Sequence, residues 1–276
     1  WRTSYPELSK APYIHKVSDR LLDIEFTRGE SDTEVTYLVK SIQKIYGLNK
    51  LVKCLQALGK QPLQSGYSYY YTSPSKKEIM SMLLRHCYPL EADTQAAFNK
   101  AMNSAKFTEK RLVEIAMYAP QWRKLVENYL EWDGLDSAIW WLHAHSSSYL
   151  SAEKETEIGR YSAIPIEEFN NGAVDVEWFK DMYGRVGKAK WKILYDAAKY
   201  ISYGNGHSLA KLYADVILKN VKITEVTKRV KDKRNQNYLR VYGLVPLSKT
   251  VAEKDVLKRY NYLQQFLKES QQFGSQ

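Results

Sequence analysis

Two histidines separated by one residue, His143 and His145, are the side chains of this sequence that most resemble part of a metal site. On a β-strand, residues two apart share a face and could bind one ion together, but on an α-helix they diverge by about 200°. Two histidines are also one or two ligands short of a zinc site, and His207 is the candidate third ligand. One interpretation is a metal-dependent enzyme. The favoured one places both histidines near the last carbonyls of a helix, where they suit its dipole.

Cations near the carboxyl end form the second set of candidate residues. Residues 187–276 contain 18 Lys and Arg against 7 Asp and Glu, and the whole chain carries a formal net charge of +10. Such an excess attracts phosphates, so this region predicts a nucleic-acid-binding surface. The residues that would form it are Lys188, Lys192, Lys228, Arg229, Lys231, Lys233 and Arg234. The competing interpretation, which ranks ahead, is a solvated face or a cover for an acidic neighbouring domain.

Two aromatic groups and one glycine-rich turn have both a binding and a structural interpretation. A stacking platform for bases or sugars could use four tryptophans, Trp122, Trp132, Trp140 and Trp141. Such a group is more often core, and the apolar neighbours of Trp141 favour the core there, whereas both interpretations stay open for Trp140. The tyrosines between residues 67 and 71 could form a binding loop, but a surface loop fixed by its rings is favoured. Gly204 to His207 could bind an anion at a helix start, but a tight turn between helices is favoured.

No known catalytic arrangement accompanies these residues. The phosphate-loop pattern with its lysine and the spaced glycines of dinucleotide-binding proteins are both missing from the sequence. We therefore expect no cofactor, and no catalytic residue is assigned.

The elements that must position these side chains are helices. Apolar residues recur at spacings of three and four almost throughout, and no bounded run alternates strictly, which predicts an all-α fold built as an array of short amphipathic helices. Its arrangement is either an α-α superhelix or two packed helical subdomains. We expect helices to start at Ser31 or Asp32, with apolar positions continuing to Ile45, and at Ser75. The last helix should bury a stripe formed by Val256, Tyr260, Leu263 and Leu267.

The segment from 146 to 173 is the best candidate for a domain border, because it is polar and contains a proline and an Asn-Asn-Gly turn. It predicts an N-terminal helical subdomain over residues 1–150 and a basic C-terminal helical subdomain over residues 151–276. The chain lacks an initiator methionine and its last helical pattern runs nearly to Gln276. We therefore expect a fragment of a longer protein, with other domains of that protein as partners.

The composition predicts a cytoplasmic protein without a membrane partner. Cys54 and Cys87, the two cysteines, lie among apolar residues and should be buried free thiols, as in a reducing compartment. No stretch is long and apolar enough to span a membrane, and the first residues are not a signal peptide.

Four longer strings carry a family resemblance, namely residues 117–122, 138–145, 173–179 and 259–270, and residues 195–200, 206–207 and 242–247 add to it. On these strings the chain, from about Val17 to its end, resembles an internal region of the large bacterial molybdate metabolism regulator-like proteins. Some of these proteins also carry a WGR domain, which is associated with proteins that respond to nucleic acid, although no part of this chain matches that domain. The resemblance implies part of a multidomain cytoplasmic protein and supplies no catalytic residue.

The function that these observations favour is a non-enzymatic helical scaffold that supports or contacts other domains. Nucleic-acid binding through the basic residues is the alternative, and a metal-dependent enzyme is the second alternative.

Overall fold

The computed structural model describes residues 12–64, 74–147, 150–202, 204 and 206–271, without the side chains of Pro12, Ile14 and His15. The tyrosines between residues 67 and 71 lie outside this range. Fifteen α-helices and one pair of two-residue strands make up the described part, which confirms the all-α class. None of these helices combines the length and the apolar character needed to cross a membrane.

Most helices are short. Up to residue 130 they are α1 (Pro12–Thr27), α2 (Thr36–Lys40), α3 (Leu48–Leu58), α4 (Lys76–Arg85), α5 (Gln95–Ala105), α6 (Glu109–Tyr118) and α7 (Arg123–Leu130), with a 3-10 turn at Pro120–Trp122. The following helices are α8 (Leu135–Ser146), α9 (Ala152–Ile158), α10 (Ile166–Asn170), α11 (Val176–Ala198), α12 (Gly206–Ile217), α13 (Ile223–Lys233), α14 (Gln236–Arg240) and α15 (Ala252–Ser270).

The chain divides into two compact units. One consists of Trp1–His143 with Asp181–Tyr203, and the other of Ala144–Lys180 with Gly204–Gln276. The predicted division at residue 150 differs from this one, because it assigned residues 181–203 to the C-terminal part. The packing explains the difference: Trp191 belongs to the first unit, where its ring meets Trp141 edge to face at 5.8 Å between centroids.

The predicted helix from Ser31 or Asp32 to Ile45 is wrong. Only Thr36–Lys40 is helical, and the chain then forms strand β1 (Ile45–Tyr46), which pairs in parallel with β2 (Cys87–Tyr88). The Ile45 amide donates to the His86 carbonyl at 2.9 Å, and the sharp change of direction needs the positive φ of 104° at Gly47. A strand of two residues is too short to show alternation in the sequence.

Several helix starts follow from side-chain caps. Ser75 begins α4 as predicted, because its hydroxyl accepts from the Glu78 amide while the Glu78 carboxylate accepts from the Ser75 amide. Thr94 and Thr108 cap α5 and α6 through their hydroxyls.

Both cysteines are buried free thiols, and burial raises the pKa of Cys87 to about 12, which keeps this thiol protonated.

A buried ion pair fixes the loop after α1 in the first unit. The carboxylate of Glu25, with no exposed surface, accepts from the Arg28 guanidinium at 3.0 Å and from the hydroxyls of Thr33 and Thr36. Arg28 also donates to the carbonyl of Pro74, just before α4, at 3.2 Å. These bonds hold residues 28–36 as a loop on α1, which is why α2 starts later than predicted.

We expect Glu25→Gln to lower the free energy of unfolding by about 3–5 kcal/mol, because it leaves the buried Arg28 guanidinium without its counter-charge. Glu34→Gln, the same substitution at an exposed position, is the control and should change stability by less than about 0.5 kcal/mol. Urea unfolding of both variants measures the difference. Equal midpoints for the two would show that the Glu25 ion pair does not stabilise the fold.

Candidate nucleic-acid interface

A groove in the second unit lies between α13 and α15. It has a volume of about 840 Å³, and five cations and two carboxylates line it. Lys228 and Lys231 come from α13, and Lys254 and Lys258 come from α15. These four residues are exposed, and among the residues that the structure describes they form no ion pair. We call them the groove lysines.

The local helix geometry explains why the groove lysines face each other. Lys228 and Lys231 are three residues apart and Lys254 and Lys258 are four apart, so each pair lies on one face of its helix, one turn apart. The fifth cation, Arg259, is 6% exposed and has another role. It donates to the carbonyls of Tyr242 at 3.4 Å, Val245 and Pro246, and it pairs with Asp255 at 2.8 Å.

The acids at the groove do not neutralise its lysines. Asp255 accepts two hydrogen bonds from Arg259 and one from the Ser248 amide, and its hydrogen bonds from Arg259 hold the pKa of this carboxyl below its ordinary value. Asp232 is exposed at the other wall. The four lysines against this one remaining acid leave the groove positive.

Aromatic and apolar side chains form the remaining lining. Tyr262 stacks on Tyr242 with 5.1 Å between ring centroids; Tyr242 is 3% exposed, whereas Tyr262 is half-buried. Leu257, on the same helix as Tyr262, is 59% exposed. The groove therefore combines cations with an accessible aromatic and apolar surface.

The predicted basic run from 228 to 234 does not form one surface. Arg229 and Lys233 are exposed but do not line the groove, and the Arg229 guanidinium lies 5.8 Å from the Tyr238 ring centroid. Arg234 is structural: it caps α13 with a φ of 44°, covers the Phe266 ring at 4.2 Å and donates to the Ser270 hydroxyl. Lys231 and Lys228 are the members of the run that reach the groove.

Lys188 and Lys192 are exposed in the second part of α11, after the break at Gly187, where φ is 76°; this part belongs to the first unit. Lys254 and Lys258 were missed as candidates. Their signal in the sequence was a pair of lysines spaced by four on one face of an amphipathic helix, a pattern that is also typical of an ordinary solvated face.

The apolar stripe of the last helix is not buried as predicted. Val256, Tyr260 and Leu267 are 49%, 57% and 57% exposed, and Leu263, the fourth member, is half-buried. The side of α15 that packs instead carries Arg259, Tyr262 and residues at the same helical spacing. Arg259 fixes this side of the helix by its buried hydrogen bonds to three carbonyls, so most of the apolar stripe is exposed.

The two histidines of the metal hypothesis lie in the last turns of α8, as expected, and contact different groups. His143 is fully buried and its Nε2 donates to the Met117 carbonyl at 3.0 Å. His145 lies between the rings of Phe169 and Tyr213, at 5.2 and 5.5 Å. Among the described residues, His207 included, no three His, Cys, Asp or Glu residues are grouped so that they could hold a metal ion.

Burial also decides the charge of His145. It lowers the pKa of this imidazole from 6.5 to about 3, although the nearby Asp175 carboxylate acts in the opposite direction. His145 is therefore neutral at neutral pH, and it does not supply the positive charge that the helix-dipole interpretation requires.

The four tryptophans are part of the core rather than a stacking platform. Trp122, Trp132, Trp140 and Trp141 are all at most 3% exposed.

Gly206 has a packing role, since a Cβ at this position would collide with the carbonyl oxygen of Ser146 at the end of α8. The close approach places Gly206 against the end of α8, while Asn205, within the predicted tight turn before α12, lies outside the described residues.

Comparison with known proteins identifies the family. The model of DUF5724, a family of unknown function, matches residues 2–276, and the chain therefore belongs to that family. No curated protein and no solved structure matches the sequence.

We expect the stability of the protein to fall as the pH drops below 6.5. At these pH values His145 becomes protonated in the unfolded chain but stays neutral in the folded chain. The slope from this group approaches about 1.4 kcal/mol per pH unit, and its contribution ends near the folded pKa of about 3. His145→Phe, which keeps a ring between Phe169 and Tyr213, should remove this slope. Urea unfolding at several pH values between 7 and 5 tests it. An unchanged slope in the variant would contradict the assignment.

We expect Gly206→Ala to destabilise the protein by about 1–3 kcal/mol, because the new methyl group needs space that the Ser146 carbonyl occupies. Gly184→Ala is the control: it lies within α11, has open space around it and should raise stability by about 0.5–1 kcal/mol. Thermal melting of the two variants should give shifts of opposite sign. A neutral Gly206→Ala would mean that the turn relaxes without cost.

Proposed function

We propose that this member of the family is a helical scaffold whose second unit binds nucleic acid through its exposed cations. One observation carries the proposal: the groove lysines, from two separate helices, face one groove and form no ion pair among the described residues. Phosphate oxygens are the natural partners of such lysines, since several cations at one groove create a positive potential that attracts anions. The mode is contact with the phosphate backbone, which carries no sequence information.

The exposed surface of α15 supports the scaffold part of the proposal. The exposed stripe of α15 offers apolar area of the kind that other domains of a longer protein would cover, which fits the molybdate metabolism regulator-like resemblance. Two buried free thiols support a cytoplasmic location. Lys188 and Lys192 are proposed as further phosphate contacts, carried by the first unit.

We expect the fourfold variant Lys228→Gln, Arg229→Gln, Lys231→Gln, Lys233→Gln to bind a mixed-sequence oligonucleotide about tenfold or more weakly, because up to four phosphate contacts are lost. Arg234 is left unchanged since it holds α15 in place. Fluorescence anisotropy at a series of salt concentrations gives both the affinity and the slope of log K against log salt. The slope should become shallower by about 0.7–0.9 for each contact removed.

The matched control removes four charges from exposed lysines of the first unit: Lys60→Gln, Lys100→Gln, Lys110→Gln and Lys124→Gln. It has the same net charge as the fourfold variant, so a non-specific effect of charge would weaken binding equally in both. Equal weakening, or wild-type binding that does not depend on salt, would refute nucleic-acid binding by the second unit.

A further inference from the structure

The groove between α13 and α15 has features that distinguish among nucleic acids. We infer that it binds one strand of nucleic acid, with successive phosphates on the groove lysines and a base against Tyr262 and Leu257. The inference rests on the proposed function and deepens it. It adds four residues that the sequence did not single out, two of them lysines of α15.

The placement of charge on both walls is the first support. Lys228 and Lys231 are separated along α13 by about 4.5 Å, and Lys254 and Lys258 along α15 by about 6 Å, from a rise of 1.5 Å per residue. Each wall therefore offers two ammonium groups one turn apart, and their flexible side chains can adjust to neighbouring phosphates. A strand that enters the groove meets cations on both sides.

The size of the groove is the second support. Its volume of about 840 Å³ is in the range of a small-ligand site, enough for a short stretch of one strand. A duplex is wider than one strand, since its major groove alone spans about 12 Å. It therefore enters a groove of this size less readily, and its stacked bases leave Tyr262 without a base face to contact.

The aromatic lining is the third support. Proteins that bind single strands without sequence preference combine a positive groove with aromatic rings on which bases stack. Tyr262 is half-buried, so part of its ring remains available, and Tyr242 stacks behind it and holds its position. Leu257, 59% exposed at the same groove, adds apolar surface against which an unpaired base can pack.

The experiment compares two probes on the full chain: labelled oligothymidine of about 12 nucleotides and a duplex hairpin of equal length. We expect the wild type to prefer the single strand. The double variant Lys254→Gln, Lys258→Gln should make the single-strand salt slope shallower by about 1.4, or about 0.7 for each lysine, and should leave duplex binding nearly unchanged. The control Lys249→Gln, Lys268→Gln removes two exposed charges of the same unit that do not line the groove.

A second pair of variants tests the ring. Tyr262→Leu should weaken single-strand binding about fivefold to a hundredfold, equivalent to the 1–3 kcal/mol of one stacked base. Tyr260→Leu makes the same change on the exposed stripe, outside the groove, and should have no effect. Thermal melting checks that both variants fold. If Tyr262→Leu does not fold, the lysine variants alone test whether the groove binds a single strand.

The outcomes separate the two proposals. Equal binding of both probes, with the Lys254 and Lys258 variant no weaker than its control, would overturn the single-strand groove while leaving nucleic-acid binding by the second unit in place. No binding of either probe by the wild type would overturn both. Stronger competition for the labelled strand by inorganic polyphosphate than by unlabelled oligothymidine would also overturn the inference, since it would identify a free polyphosphate as the source of the phosphates.

Discussion

The buried guanidinium of Arg259 is the interaction on which the arrangement of the second unit depends. A charged group that is 6% exposed must have its hydrogen bonds satisfied, and Arg259 does this with the carbonyls of Tyr242, Val245 and Pro246 and the carboxylate of Asp255. These partners fix both the chain before α15 and the rotation of α15 about its axis. Hydrophobicity alone would have turned the helix with its apolar stripe inward.

The rotation of α15 determines what its other sides present. Because Arg259 and Tyr262 face the body of the unit, Lys254 and Lys258 point into the groove toward α13, and Val256 and Tyr260 lie outside it. Arg234 strengthens the same arrangement from α13 through the Phe266 ring. Asp255 is already bound to Arg259, so the groove keeps its positive charge although acids lie close by.

Features that depend on local chemistry could be predicted from the sequence. Features that depend on partners distant in the chain could not. The all-α class, the cap at Ser75 and the buried thiols followed from periodicity, hydroxyl chemistry and apolar neighbours. The helix that was expected up to Ile45 fails because strand pairing with residues 87–88 and the bonds of Glu25 replace it. The exposure of the α15 stripe was not predictable, because Arg259 fixes that helix by donating to the Tyr242 carbonyl, 17 residues earlier in the chain. The division of the basic run was not predictable either, because Arg234 lies over the ring of Phe266, 32 residues later.

Phosphate binding of the kind proposed would also explain why residues 187–276 carry an excess of cations but no recognisable motif. A catalytic site needs side chains held in a narrow geometry, and such a geometry imposes residue types at fixed spacings. Phosphate contacts need cations that are exposed, unpaired and within reach, and flexible lysines on two helices meet that requirement without a fixed pattern. A groove of this type can therefore be recognised only once the fold has placed Lys228 and Lys231 opposite Lys254 and Lys258.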